Sequence, residues 1–193
     1  VELVTEQMES YKEIWNKRHE ISIEDGSYFS VLAKLRKICD GTRVSSINSK
    51  IQTAGEIVKK IKANSEKVII FSYYLDPLYA MQEYLEKNDI DYVKFFDVDV
   101  EYREESVKQF KEDPSITVFL ASSRIASEGL TLTEANNVIF INRWWNPSSN
   151  SQARDRVVRI GQEKPVTIFN LFCVETVEER VTEILHEKNE IYS

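Results

Sequence analysis

The sequence predicts an α/β fold: a mostly parallel sheet covered on both faces and preceded by a helical lead-in. Three observations carry this. From Lys67 onward, short apolar runs alternate with segments of helical periodicity. The first of them, Val68-Ile69-Ile70-Phe71, is apolar throughout rather than at every second residue, as in a strand buried on both faces. Before Lys67 only helical periodicity is found, and strands alternating with helices mark a parallel sheet.

In the lead-in, Met8, Tyr11, Ile14 and Trp15 share one helix face behind Thr5 as a candidate N-cap. Val31, Leu32, Leu35 and Ile38 repeat the pattern until Asp40-Gly41-Thr42 breaks it, and Ile51, Ala54, Ile57, Val58 and Ile61 repeat it again. Val68–Phe71 is the first strand, followed by a helix over Leu75–Glu86. Tyr92–Phe96 is the second strand, followed by a helix over Glu101–Lys111. Thr117–Leu120, Val138–Ile141 and Val166–Phe169 complete the sheet, and a last helix is predicted over Thr176–Glu187. The expected organisation is a lead-in over 1–65, the α/β unit over 66–173 and a C-terminal helix over 174–193.

With 193 residues, 42% hydrophobic, the chain can bury one substantial core. No apolar run reaches the ~20 residues of a membrane span, and the N-terminus lacks the pattern of a signal peptide, so a membrane or secreted location is not expected. Cys39 and Cys173 read as two reduced, buried thiols, and His19 and His186 have no second ligand at metal spacing, so no metal site is expected. The net charge of −7 is unlike that of a dedicated nucleic-acid domain. Acids crowd residues 89–113, where they suit a solvated loop and a helix N-terminus. Arg143, Arg154, Arg156, Arg159 and Lys164 gather further on, and such a local basic face is compatible with phosphate.

In parallel sheets, ligands sit beyond the carboxyl ends of the strands. After the first strand come Ser72-Tyr73-Tyr74, whose hydroxyls suit phosphate contacts or simple packing at a sheet edge. After the third comes the small-residue loop Ser122-Ser123-Arg124 to Gly129-Leu130-Thr131, either an anion-binding backbone or a plain polar turn. Trp144 and Trp145 close the fourth strand, one free to stack on a partner or both buried. Gln152, Arg156 and Arg159 recur at i, i+4 and i+7 on one helix face, a fork of donors for phosphate oxygens or a solvated, salt-bridged stripe.

Taken in order, these segments resemble the C-terminal RecA-like lobe of Swi/Snf-type DNA translocases, within the superfamily-two helicases. Leu35-Arg36-Lys37-Ile38-Cys39 resembles the family's LRQIC helix, and Lys67–Ser72 its motif IV. Residues 120–132 resemble motif V, Trp145-Asn146-Pro147 the WNP signature, and residues 152–162 motif VI, QAxDRxHRIGQ. Val158 stands where the motif VI histidine is usual, Ala126-Ser127 replace the motif V glycine pair, and Asp97-Val98-Asp99 stand where a Gly-Ser turn is usual.

The resemblance implies a three-layer RecA-like sandwich that works as one half of a motor. Arg156 and Arg159 would be arginine fingers, with Gln152, Gly129 and Thr131 near ATP. Ser72, Ser122, Ser123, Arg124 and Trp145 would face the backbone of double-stranded DNA. ATP and Mg²⁺ would be held mainly by a first lobe of the same polypeptide, because this chain has no G-x-x-x-x-G-K-[ST] loop. The isolated chain is therefore expected to be a monomer that binds no cofactor and turns over no ATP. A cytoplasmic location in a prokaryote or virus, or a nuclear one in a eukaryote, is expected. The alternative is a catalytically degenerate lobe serving as a binding scaffold. An unrelated doubly wound nucleotide-binding domain would need a Gly-rich turn where Ser72-Tyr73-Tyr74 stands.

Overall fold

The computed structural model describes residues 1–41, 48–123, 132–142, 162–180 and 182–183. Four helices come first: α1 (Thr5–Asn16), α2 (Arg18–Glu24), α3 (Tyr28–Asp40) and α4 (Ser49–Ala63). Then follow β1 (Val68–Ser72), α5 (Leu75–Lys87), β2 (Tyr92–Phe95), α6 (Val100–Glu112), β3 (Val118–Ser122), β4 (Asn137–Phe140) and β5 (Thr167–Asn170). Residues 177–180 and 182–183 are helical, and residue 181 and those from 184 onward lie outside the described residues.

The five strands form one sheet in the order β2-β3-β1-β4-β5, every pair parallel. β1 is central: Val68 pairs with Val118 of β3 on one side and with Asn137 of β4 on the other. Alternate residues of its apolar run face opposite layers. Val68 and Ile70 join Val118, Leu120 and Ile139 against α4 and α5, with Ala54, Val58, Leu78 and Met81 between. Ile69 and Phe71 join Val93, Phe119, Val138 and Phe140 against Phe110 of α6. A run that is apolar at every position is therefore what two covered faces require. At Gly55 the α4 and α5 layers approach closely: a Cβ there would sit 2.1 Å from the Tyr84 ring.

α4 packs against the sheet, whereas Leu3, Tyr11, Val31, Leu35, Cys39 and Cys173 form a separate cluster between α1, α3 and the segment after β5. The break in packing thus falls between α3 and α4. The sequence expectations need small corrections. Thr5 is the first residue of α1 rather than its cap; extended Val4 precedes it, and its carbonyl accepts from Met8 N at 2.9 Å. The buried residues of α1 are Gln7 and Tyr11, with Leu3 buried just before the helix, and Trp15 lies at the rim under the Arg18 guanidinium, 4.8 Å from the ring centre. β3 starts at Val118 and runs on to Ser122, because Ser72 and Ser122 still pair. Among the described residues no helix is long and apolar enough to cross a membrane.

One buried charge joins the small cluster to the rest. Lys50, 0% exposed in the first turn of α4, donates to Asp40 of α3 at 2.8 Å and to Glu178 at 2.7 Å. Burial alone would push Lys50 towards the neutral amine; the two carboxylates overcome this and hold its pKa above the ordinary lysine value. Glu178 also accepts from the Cys173 backbone N–H at 2.9 Å, fixing the start of the C-terminal segment. Asn48 completes the join: it caps α4 by accepting from Lys50 N and Ile51 N, and it donates to the Asp40 carbonyl. Gly41 (φ 78°) makes room for it, since a Cβ there would lie 1.7 Å from the Asn48 amide nitrogen.

Two outcomes follow for stability. Lys50→Met takes the shared ammonium from the buried Asp40 and Glu178 carboxylates, and urea unfolding should register a loss of about 3–5 kcal/mol. At the other edge of the sheet, Glu66 accepts from Asn137 and Asn136, both at 2.9 Å, and these bonds hold its pKa below the usual 4.5. A depressed carboxyl stabilises the fold above its unfolded pKa, and the contribution is lost as pH falls through the folded value. A urea midpoint followed from pH 6 down to about pH 3 should therefore fall less steeply for Glu66→Gln than for the wild type.

Candidate functional site

The order of the strands marks one place on the carboxyl edge of the sheet. β1 leads by way of α5 to β2, on the β3 side, while β4 leads towards β5 on the other side. Two neighbours whose chains depart in opposite directions leave a crevice between their carboxyl ends, the usual ligand position in open parallel sheets. Here that crevice lies between β1 and β4.

Its floor is stitched by side chains. Ser72 ends β1 and Asn142 follows β4, 0% and 1% exposed respectively. Asn142 accepts from Tyr73 N at 2.8 Å through Oδ1 and donates to Ser72 Oγ at 3.0 Å through Nδ2. Ser72 Oγ donates to the Tyr74 carbonyl at 2.7 Å and accepts from Tyr74 N at 3.1 Å. The Ser72 carbonyl accepts from Ser123 N at 2.9 Å, and the Phe71 carbonyl from Ile141 N at 3.0 Å. The chain leaving β1, the turn after β3 and the end of β4 are thus fixed to one another. Tyr73 and Tyr74 meet edge to face at 5.3 Å above this floor. A groove of about 350 Å³ opens beside them, between Lys34 and Lys37 of α3 and the Tyr74–Pro77 start of α5.

The residues expected at the site divide accordingly. Ser72 and Ser122 (4% exposed) are buried at paired positions, and Ser123 is half-buried. The Ser72 hydroxyl is occupied within the protein, so its place is that of a strut beneath the loop. Arg124, Gly129, Thr131, Trp145, Gln152, Arg156 and Arg159 lie outside the described residues. Asn142 is the residue that the sequence reading passes over. Its signal is a lone amide directly after the apolar run ending at Ile141, at a strand end where only a satisfied polar group is tolerated.

Among the described residues, one group of potential metal ligands converges: Cys39, Cys173 and Glu178 lie within 4.8 Å of one another. Its chemistry argues against a metal. Lys50 already supplies the cation, both Glu178 oxygens are engaged, and the Cys39 thiol is held far above its usual pKa by its hydrogen bond with Cys173 and by burial. Tyr11, whose hydroxyl accepts from Val177 N at 2.8 Å, is likewise pushed up to about 12, mainly by burial. A protonated Cys39 thiol and a neutral Tyr11 phenol make this corner a packing joint. Both cysteines are free.

The helicase conserved C-terminal domain matches residues 49–161, a range that starts with α4 and includes β1 to β4. The chain belongs to this family. Within it, the likeness is to Swi/Snf-type ATPases. The chromatin-remodeling ATPase INO80 of Arabidopsis thaliana is 32% identical over 79% of this chain and 10% of its own length. INO80 of Schizosaccharomyces pombe is 34% identical over 88% and 10%. An uncharacterized ATP-dependent helicase of Mycoplasma genitalium is 33% identical over 84% of this chain and 16% of its own. The chain thus spans about a tenth to a sixth of the length of these relatives. Among solved structures, the C-terminal part of the Fun30 ATPase domain matches with a TM-score of 0.68 and 31% identity, over 72% of this chain and 45% of that one. The Sulfolobus solfataricus SWI2/SNF2 ATPase C-terminal domain shares the fold with a TM-score of 0.75 at 23% identity, over 97% and 83%. The helicase C-terminal fold of this chain is RecA-like, with the crevice between β1 and β4 at its head.

Removing the Asn142 amide takes the acceptor from the half-buried Tyr73 N–H and a donor from buried Ser72. Asn142→Ala should cost about 1–3 kcal/mol in chemical unfolding.

Proposed function

We propose that this chain is the second motor lobe of an ATP-dependent double-stranded-DNA translocase, and that it completes an ATP site whose phosphate-binding loop lies in a first lobe. The observation that carries the reading is the placement of the crevice. Two segments of the family pattern, Lys67–Ser72 and the stretch running into Trp145-Asn146-Pro147, leave β1 and β4 side by side at the topological switch. In the chain, Gly129 and Thr131 follow β3, and Gln152, Arg156 and Arg159 follow β4, two strands whose carboxyl ends lie at this edge.

In this reading, Arg156 and Arg159 are the fingers: two guanidinium forks that neutralise charge growing on the γ-phosphoryl oxygens as the lobes close. Gln152, Gly129 and Thr131 line the nucleotide, and Mg²⁺ comes with the first lobe. Arg124, Ser123 and Trp145 face DNA backbone, with Ser72 and Ser122 supporting them from below. Backbone contacts of this kind are indifferent to sequence and weaken with salt.

In the full-length protein, Arg159→Ala should lower DNA-stimulated ATP turnover by about 10³ or more while leaving DNA affinity within about twofold. Phosphate release by this chain alone should stay at background. Normal turnover in the variant would refute the finger assignment, and robust hydrolysis by the isolated chain would refute the two-lobe reading.

A further inference from the structure

We infer that the outer edge of β5 is a docking strip for the connection from the first lobe, which adds to the sheet there as a sixth parallel strand. The identity of this occupant rests on the function proposed above, in which a first lobe lies upstream of Val1 in the same polypeptide. The geometry of the strip does not.

β5 pairs with β4 on one side and, among the described residues, with no strand on the other. The bonds it makes inward decide which of its groups face outward. Thr167 N donates to the Asn136 carbonyl at 2.9 Å and Leu171 N to the Phe140 carbonyl at 3.0 Å. Backbone groups alternate between the two edges of a strand, so Thr167, Phe169 and Leu171 serve β4. Ile168, Asn170 and Phe172 present their N–H and C=O groups to the open side. Such an edge is a ready template for an extended chain.

Val1 already holds the first place on this strip. Its nitrogen donates to the Phe172 carbonyl at 2.9 Å, and its carbonyl accepts from Val174 N at 2.9 Å. A residue that donates to one neighbour of Cys173 and accepts from the other stands opposite Cys173 in a parallel ladder. Direction and register follow from that single pair. Chain upstream of Val1 runs back along β5 rather than away from it. The residue two before Val1 falls opposite Leu171 and meets the Asn170 carbonyl and Phe172 N. The residue four before falls opposite Phe169 and meets the Ile168 carbonyl and Asn170 N. About six residues reach Thr167.

Val1, Phe169 and Leu171 all pack in the apolar layer against α4 and α5. The incoming residues two and four before Val1 share that face, so β-branched or aromatic side chains suit both positions. Being tethered at Val1, the segment faces the strip at about millimolar effective concentration, far above what a separate chain offers. A first lobe joined in this way delivers its movement to β5, and so to β4 beside the crevice, rather than to the tip of α1. The hinge between the lobes then lies upstream of the added strand.

Amide-resolved hydrogen exchange tests this by comparing the 193-residue chain with the full-length protein. In the shorter chain the outward amides of Ile168, Asn170 and Phe172 should exchange freely. In the longer one they should slow about tenfold or more, with Thr167, Phe169 and Leu171 protected in both. Equal exchange of the outward amides in the two forms would overturn the inference. So would protection in the 193-residue chain that rises with its concentration, which would assign the edge to a second copy. Asn170→Pro removes an outward N–H that faces solvent in the shorter chain. It should leave the urea midpoint of that chain unchanged and cancel the slowing at Ile168 in the full-length protein. Slowing that survives the proline would mean that something other than a paired strand covers the edge. The wild-type comparison decides the inference even where the proline unsettles β5. A full-length protein with no DNA-stimulated turnover would instead sink the translocase reading and leave the added strand standing.

Discussion

An ammonium group removed from water needs negative partners, and Lys50 finds them in two parts of the chain that sequence keeps far apart. Asp40 is ten residues away and Glu178 is 128. Because the one ammonium meets both carboxylates, α3, α4 and the segment after β5 are held in one mutual arrangement. The apolar cluster of Leu3, Tyr11, Leu35, Cys39 and Cys173 could tolerate small slips, since dispersion and burial are not directional. The ion triad cannot, and it sets where the first three helices stand against the sheet. The carboxyl edge inherits that setting, because the groove beside Tyr74 is walled by α3 on one side and α5 on the other.

The same division between non-directional packing and directional bonds decides what the sequence reveals. β1, β3 and β4 are buried at every position, so their apolar runs stand out and their bounds are found within a residue or two. β5 lies at the margin, with exposed ends, and is recognised more by its place in the alternation than by its own pattern. α2 escapes notice for a clear reason. It has no buried residue, so periodicity has nothing to mark, and it exists because α1 and α3 flank it. Thr5 was a plausible cap by residue type alone, but the backbone of Val4 closes the first turn instead.

The candidate site was legible in its address more than in its joinery. Strand ends and the motif segments lead to the carboxyl edge. The residues that hold this edge together are amides and hydroxyls whose partners are distant in sequence: Asn142 with Ser72 and Tyr73. A polar side chain at the end of a strand reads as surface until its partners are known. The buried charge triad is hidden in the same way, since a lysine in a first helical turn is ordinarily solvated.

The strand order also has a consequence for how the chain is made. β1 is the central strand, yet its first partner begins at Val118 and its second at Asn137. At about 5–20 residues per second, synthesis leaves Val68-Ile69-Ile70-Phe71 without a neighbour for roughly 2–10 seconds. That is a short, uncharged, strongly β-forming run of the type that seeds intermolecular pairing. Glu66 and Lys67 stand directly before it, charges in the place where they repel a second copy. The nascent chain is therefore most vulnerable between the completion of β1 and the arrival of β3, and ribosome-associated protection matters most for that interval.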